Sequence, residues 1–159
     1  MIKLLRVDDN LLHGSVAFSW VINLKIHTII IGDDQVVNDQ FMKMTLGLSK
    51  PSGVNLLILS VDDAINKLQE IQDSNLNVLA IVNNIAKAVK ICEKIPEIKH
   101  INIGLIRNKG NEGIQYAHMH LSLEDIELCK SLLNNGVYLE YRLNFHDEMV
   151  DVAKVIYES

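Results

Sequence analysis

Short apolar runs alternate with amphipathic stretches from one end of the chain to the other. Most of the runs lack polar alternation, which is typical of parallel strands that are buried on both faces. The runs predict six strands, at 2–7, 28–32, 54–59, 76–82, 99–103 and 137–143. A looser alternation over 114–121 predicts one further short strand.

Apolar residues at helical spacing lie between these strands and predict helices whose apolar stripes face the core. The stripes are Val16/Trp20/Val21/Leu24, Val37/Phe41/Met44/Leu48, Val61/Ala64/Ile65/Leu68/Ile71, Ile85/Ala88/Cys92/Ile95, Ile126/Cys129/Leu133 and Met149/Ala153/Ile156. Ser122 and Asp125 have the spacing of a capping box at the start of one helix. Strict succession of strand and helix implies right-handed crossovers. We therefore predict one α/β domain over 1–159, an open twisted, mostly parallel sheet with helices on both faces.

Composition narrows the classes of partner. The 159 residues are 48% hydrophobic and carry a formal net charge of −5, so we expect no nucleic-acid partner, which would need a basic face. Met1-Ile2-Lys3 runs straight into a strand pattern, so we expect no signal peptide, and no apolar stretch approaches the roughly 18 residues that span a bilayer. Cys92 and Cys129 lie in helical patterns without metal-ligand spacing. We expect both to be reduced core residues of a cytosolic protein, and we expect no metal site.

The candidate chemistry lies where the first strand gives way to a helix, at 8–16. Ligands of open α/β sheets bind outside the carboxyl ends of the strands, and helix N-termini there favour anions because free N–H groups point outward. His13 stands at that helix start. A neutral imidazole in this place is a candidate acceptor of a phosphoryl group, and a helix-start histidine without chemistry is the alternative interpretation.

Three neighbours of His13 suggest how the ring would work. Asp8 or Asp9 is expected to accept a hydrogen bond from one ring nitrogen, which fixes the tautomer and leaves the other nitrogen free to attack phosphorus. Capping of the next helix is an alternative role for these carboxylates. Gly14 leaves room for a phosphate to approach the backbone. Together with Asp34, the two aspartates also suggest a Mg²⁺-dependent phosphate-handling enzyme.

The segment Arg6-Val7-Asp8-Asp9-Asn10-Leu11-Leu12-His13-Gly14-Ser15-Val16 resembles a family motif that reads Arg-Ile-Asp-Asp-Arg-Leu-Ile-His-Gly-Gln-Val. The family is the IIB component of the mannose/fructose/sorbose-type sugar phosphotransferase system. The resemblance extends over nearly the whole chain. Its further blocks are Asp34–Asp39 with Lys43, Pro51–Val54, Asn84, Asn102–Gly104, and Gly136 with Leu139-Glu140.

This resemblance implies a phosphotransferase that works without a cofactor. His13 would take a phosphoryl group from a phosphohistidine of a IIA partner and pass it to a sugar held by the membrane components IIC and IID. The sugar would belong to the mannose, fructose, sorbose or amino-sugar class. The chain would be cytoplasmic and attached peripherally to the membrane transporter complex.

The resemblance also implies the residues that surround the phosphate. Backbone N–H groups from Asn10 through Gly14 and Ser15 would donate to the phosphoryl oxygens, together with the polar loop 107–113. Arg6 is carried over from the motif as a phosphate-site residue, although its place inside the strand keeps it from supplying charge directly. The apolar Leu11 and Leu12 would either form a shallow docking face for partners or pack under the loop.

Asn10 stands where the family motif has arginine. Loss of one charge-assisted phosphate contact costs about 1.5–3 kcal/mol, which corresponds to roughly tenfold to a hundredfold in transfer rate. Lys109 is the candidate to supply a cation from the 107–113 loop. The alternative to a phosphocarrier is a diverged regulatory or binding module, in which Asn10 in place of arginine leaves weak or no phosphoryl transfer.

Overall fold

The computed structural model describes all of residues 1–159 and contains nine strands, six α-helices and one 3-10 turn. The strands are β1 (Ile2–Val7), β2 (Thr28–Gly32), β3 (Asn55–Leu59), β4 (Val78–Val82), β5 (His100–Ile103), β6 (Gly113–Tyr116), β7 (Met119–Ser122), β8 (Tyr138–Tyr141) and β9 (Val150–Asp151). The helices are α1 (Gly14–Leu24), α2 (Gln40–Leu48), α3 (Val61–Ile71), α4 (Ile85–Lys94), α5 (Leu123–Asn134) and α6 (Val152–Tyr157), and the 3-10 turn is Val36–Asn38.

Seven strands form one sheet in the order β3-β2-β4-β1-β5-β8-β9, and β6 pairs with β7 in a separate antiparallel hairpin. All neighbours in the large sheet are parallel except β8 and β9. The predicted open, mostly parallel sheet is therefore confirmed. No helix combines the length and the apolar character needed to cross a membrane.

Helices cover both faces of the sheet, as predicted. A cluster of 14 buried residues, which includes Trp20, lies under α1 and α2. A second cluster, of 30 buried residues, lies under the other four helices and contains both cysteines. Burial raises the pKa of Cys92 to about 11 and that of Cys129 to about 12, so both thiols stay protonated at neutral pH. The prediction that they are unpaired core residues is confirmed.

Two elements near the C-terminal half differ from their predicted form. The single strand expected over 114–121 is a hairpin, because the chain turns back at Ala117, whose φ is 47°. The last helix begins only at Val152, and the residues before it form the edge strand β9, which leaves Met149 exposed. At these positions the pairing of β9 with β8 replaces the helix that the apolar spacing predicts. A helix of only six residues is weakly stable by itself and does not extend into this segment.

The predicted core stripe on α2 is wrong. Phe41, Met44 and Leu48 are 74%, 66% and 84% exposed, whereas Leu46 is buried on the opposite side of the helix. Apolar residues occupy both sides of this nine-residue helix, so their spacing alone did not identify the buried side. Asp39 caps the helix through the backbone N–H of Met42 and helps to set which side faces the sheet.

The direction of the connections creates a crevice at the carboxyl ends of the central strands. The chain leaves β1 and β2 towards the face covered by α1 and α2, whereas it leaves β4 and β5 towards the opposite face. In the sheet these strands are neighbours, in the order β2-β4-β1-β5. Adjacent strands whose connections diverge in this way mark the usual ligand position in open α/β sheets.

Candidate functional site

The loop 8–13 connects β1 to α1 and lies between the ends of β4 and β5. Backbone N–H groups of Asp8 and Asp9 donate to carbonyls of β4 and of the segment after β5, at 3.0 and 2.8 Å. Leu11 takes a left-handed conformation with φ 57°, which a branched residue adopts only where its surroundings enforce it. The loop is thus held in one shape by the sheet beneath it.

A buried arginine supports this loop from inside the sheet. The guanidinium of Arg6 donates to Asp8 at 2.8 Å, to the side-chain oxygen of Asn102, and to the carbonyl of Arg142 at 3.1 Å. It also lies over the ring of Trp20, 5.5 Å from its centroid. Burial lowers the pKa of Arg6, and the carboxylate of Asp8 opposes that shift. The predicted role of Arg6 at the phosphate is not supported by these contacts, because they lie below the loop and the side chain is only 3% exposed.

His13 is the N-cap residue of α1, and its imidazole is exposed. The ring makes no hydrogen bond to the protein, so both nitrogens are open to a partner. Side chains cap the first turns of the five other helices, whereas α1 has no side-chain cap and no acidic residue in its first turn. The N–H groups of Gly14, Ser15 and Val16 therefore lie beside an exposed imidazole with no protein acceptor.

Neither aspartate orients the ring of His13, contrary to the sequence-based prediction. Asp8 accepts from Arg6 and from the backbone N–H of Asn10, both at 2.8 Å. Asp9 accepts from the 107–113 loop through Oδ2. Both carboxylates are almost fully buried, at 6% and 8% exposure, and are committed to shaping the loop.

The 107–113 loop brings two cations to the loop 8–13. Lys109 reaches Asp9 with Nζ at 3.0 Å, which places its ammonium group beside the loop 8–13. Arg107 donates its backbone N–H to Asp9 at 2.8 Å, and its guanidinium donates to Oδ1 of Asn10 at 2.7 Å. Sequence reasoning missed Arg107 as a site residue. The sequence did contain a signal for it. Arg107 is the only arginine in that loop, and Asn10 lacks the guanidinium that the motif has at its position.

Leu11 and Leu12 do not form a docking face. They are 5% and 4% exposed and belong to the smaller core cluster with Trp20 and Ile31. Their packing anchors the loop from below, which was the alternative interpretation.

The carboxylates expected for a Mg²⁺ site are not gathered around one point. Asp8 and Asp9 pair with cations, and Asp34 accepts from the backbone N–H of Val61 at 2.8 Å. No group of three or more candidate ligands in the chain is arranged to hold a metal ion. The observed contacts therefore do not favour the magnesium-dependent alternative.

Comparison with known proteins gives one consistent result. The model of a family described as "PTS system sorbose subfamily IIB component" matches residues 2–159. The sorbose-specific EIIB component of Klebsiella pneumoniae is 27% identical over 159 residues, which cover 99% of this chain and 96% of that protein. The crystal structure of the IIBSor domain of the sorbose permease from Klebsiella pneumoniae superposes with a TM-score of 0.92 at 26% identity, over 100% of this chain and 98% of that one.

Two other relatives are longer than the matched region. A probable phosphotransferase enzyme IIB component of Streptococcus pyogenes serotype M6 is 32% identical over 103 residues, which are 65% of this chain and 63% of that protein. The mannose-specific EIIAB component of Escherichia coli K12 is 28% identical over 143 residues, which are 89% of this chain and 44% of that protein. The chain thus spans less than two thirds of the length of each of these two relatives.

Proposed function

The chain belongs to the sorbose subfamily of phosphotransferase-system IIB components, and from that premise we propose that His13 is the residue that carries the phosphoryl group. A lone pair of one ring nitrogen attacks the phosphorus of a phosphohistidine on a IIA partner, and the bond from phosphorus to the donor imidazole breaks as the new N–P bond forms. A sugar hydroxyl then attacks the same phosphorus, loses its proton, and displaces the imidazole of His13.

The single observation that carries this proposal is the open start of α1. An exposed imidazole without protein partners stands beside helix N–H groups that no side chain caps. A phosphoryl group on His13 would place its oxygens near these N–H groups, where the positive end of the helix dipole stabilises negative charge. Gly14 supports this arrangement, because apart from its chain neighbours and the backbone of its own helix turn no protein atom lies within 4 Å of the position where its side chain would begin.

Arg107 and Lys109 supply the cations of the proposed site. Their side chains are 56% and 62% exposed, so they can turn towards a phosphoryl group. Contacts with Asp9 and Asn10 meanwhile hold the 107–113 loop against the loop 8–13. Asn10, Gly14 and Ser15 contribute neutral donors. In this arrangement Asp8 and Asp9 are positioning residues that act through the loop and the cations.

The proposed partners follow from the relatives. The Escherichia coli relative is an EIIAB component, which supports a IIA phosphohistidine as the donor. Relatives named for sorbose, mannose and fructose support a sugar of that class as the acceptor, held by membrane components of the IIC and IID kind. The place of action is then the cytoplasmic side of such a membrane complex.

The test is reconstitution of the phosphoryl relay with phosphoenolpyruvate, the general energy-coupling proteins and the IIA partner. We expect a gain of one phosphoryl group that is labile in acid, stable in base and absent from a His13→Ala variant. A His118→Ala variant is the matched control, since His118 is also exposed but lies in the hairpin turn. Failure of the parent chain to accept label from phosphorylated IIA would refute the proposal.

A regulatory module is the second candidate, and Asn10 in place of the motif arginine is the observation that favours it. The same experiment separates the two functions. Loss of the label on addition of sugar and membrane components supports transport. A phosphoprotein that stays labelled under those conditions supports the module.

A further inference from the structure

A cavity of about 830 Å³ opens beside the loop 8–13, and His13 is not part of its wall. It lies in the crevice at the carboxyl ends of the central strands, between the residues that follow β2, β4 and β5. Fourteen residues line it and only Ile106 among them is hydrophobic, so the wall suits a strongly polar ligand.

His120 supplies a hydrogen-bonding atom that has no use within the fold. Its ring forms part of the cavity wall and is 5% exposed, and its Nε2 is the only buried side-chain N or O atom without a partner. The amide nitrogen of Gln115 donates to the carbonyl of Ala117, so Oε1 of Gln115 faces Nδ1 of His120 at 3.2 Å. The proton of the neutral ring therefore resides on Nδ1, and Nε2 carries a lone pair. Such an atom accepts from a hydroxyl group, and because Nε2 is itself buried in the unliganded chain, a ligand hydroxyl reaches it through a small shift of the cavity wall.

The wall carries three carboxylates and three cations, so an anion would be attracted through groups that the fold leaves uncommitted. The carboxylates are already engaged, Asp9 by the 107–113 loop, Asp34 by the N–H of Val61 and Asp125 by the capping box of α5. The cations are less fully committed. Lys87 donates to Asp33 and to the side chain of Asn83, which leaves one of its three ammonium protons free to bind a ligand.

Two helices also begin at this cavity. Asn84 caps α4 and Ser122 caps α5, and both capping residues belong to the wall. The positive ends of the two helix dipoles add to the cationic side chains. Anion-binding donors and a buried acceptor for hydroxyl groups thus occur on one polar wall.

We propose that this cavity binds a phosphorylated sugar, whose phosphate meets Lys87 and the rim cations Arg107 and Lys109 and whose hydroxyl groups meet His120 and the amide side chains. This binding requires no phosphate on His13 and no membrane component. It goes beyond the proposed phosphocarrier function, which shares the rim cations Arg107 and Lys109 but assigns no ligand to the rest of this cavity.

The test is calorimetric titration of the unphosphorylated full chain with mannose 6-phosphate, glucose 6-phosphate and fructose 1-phosphate. The free hexoses and inorganic phosphate serve as comparison probes. We expect at least one sugar phosphate to bind at least tenfold more tightly than its free hexose and than inorganic phosphate. Absence of binding across the panel, or equal affinity for inorganic phosphate, would overturn the proposal.

Variants locate the bound ligand. His120→Phe keeps a ring of similar size without nitrogen, and we expect it to weaken binding at least tenfold, while the exposed control His118→Phe binds as the parent does. Because a buried substitution can disturb folding, the parent chain is also titrated by amide NMR. Shifts should concentrate at 83–87, 107–111 and 120–125, and shifts confined to other segments would overturn the proposal.

A His13→Ala variant separates this proposal from the proposed function. We expect it to bind the same sugar phosphate with unchanged affinity, although it accepts no phosphoryl group from IIA. Loss of sugar-phosphate binding in this variant would place the ligand at the helix start and overturn the assignment to the cavity. Failure of the parent to accept phosphoryl groups would refute only the phosphocarrier function.

Discussion

The guanidinium of Arg107 donates to Oδ1 of Asn10 at 2.7 Å, although the two residues lie 97 positions apart in the chain. The family motif has arginine at position 10, where this chain has asparagine. Arg107 instead supplies the guanidinium that lies beside the loop 8–13. We expect Arg107→Ala to slow phosphorylation of His13 by roughly tenfold to a hundredfold, the equivalent of about 1.5–3 kcal/mol. Arg107→Lys should fall between, because lysine keeps the charge but lacks the planar fork. Rapid-quench phosphorylation by labelled IIA measures the rate.

A compensating substitution makes this prediction specific. Asn10→Arg in the Arg107→Ala background should recover most of the lost rate, since it returns a guanidinium to the motif position. Lys50→Ala is the control for removal of a cation elsewhere on the surface. An undiminished rate in Arg107→Ala would remove this residue from the site, and the same outcome in Lys109→Ala would remove Lys109.

Gly104 follows β5 and lies against the buried pair Arg6 and Asp8. A methyl group on Gly104 would stand 2.6 Å from the carboxylate of Asp8 and would also meet the guanidinium of Arg6. We expect Gly104→Ala to lower the free energy of unfolding by about 1–3 kcal/mol, because both side chains are held by other contacts and have little room to move. Urea denaturation measures the change. Gly47→Ala is the matched control in α2, where the added methyl group meets nothing within 4 Å and should stabilise by about 0.5–1 kcal/mol.

Asp33 links the stability of the sheet end to pH. Burial alone would raise its pKa, but the N–H of Val36 and the ammonium of Lys87 outweigh burial and hold the pKa below the ordinary 3.8. The unfolded chain therefore binds a proton more readily than the folded one. The stabilising contribution is present above the ordinary pKa and is lost as pH falls through that value towards the folded pKa.

We expect Asp33→Asn to reduce the acid dependence of the unfolding free energy, measured by urea denaturation between pH 7 and pH 3. The variant should also be less stable at pH 7, because Lys87 and Asn83 both lose a carboxylate acceptor. An acid slope equal to that of the parent would contradict this account.

For the candidate site, the sequence predicted the helix start and the exposed imidazole better than the contacts between residues. The turn from β1 into α1 is local, so segment 8–16 indicated both the helix start and the exposed imidazole of His13. The partners of Asp8 and Asp9 depend on β5 and on the 107–113 loop, about a hundred residues away along the chain. Local spacing carries no information about such contacts, and the aspartates were assigned to the nearest histidine in sequence.

For the fold, too, local features were predicted correctly and features that depend on packing were not. Strands at 2–7 and 28–32 were predicted with their observed bounds, because buried parallel strands appear as continuous apolar runs. The prediction of the buried side of α2 failed because both sides of this helix are apolar, and only packing against the sheet identifies the buried side.

That distinction can be measured on two leucines of α2. Leu46→Ala should cost about 2–5 kcal/mol of unfolding free energy, because Leu46 is 2% exposed within the smaller core cluster. Leu48→Ala should stay within about 0.5 kcal/mol of the parent, since its side chain is 84% exposed. Chemical denaturation of the two variants provides the comparison. Equal losses would mean that a partner in solution, such as a second copy of the chain, covers the exposed side of α2.

In the function that we propose, His13 stands at the open start of α1 at a cost in stability. Serine is a strong N-cap residue and histidine here makes no capping hydrogen bond, so His13→Ser should raise the free energy of unfolding by about 0.5–2 kcal/mol. The same variant should accept no phosphoryl group from IIA, because it lacks the imidazole. His13→Ala is the control that removes the imidazole without adding a cap, and it should show no such gain. A His13→Ser variant that is no more stable than His13→Ala would show that the first turn of α1 does not need a cap, and the helix start would then lose its place as the feature that binds the phosphoryl group.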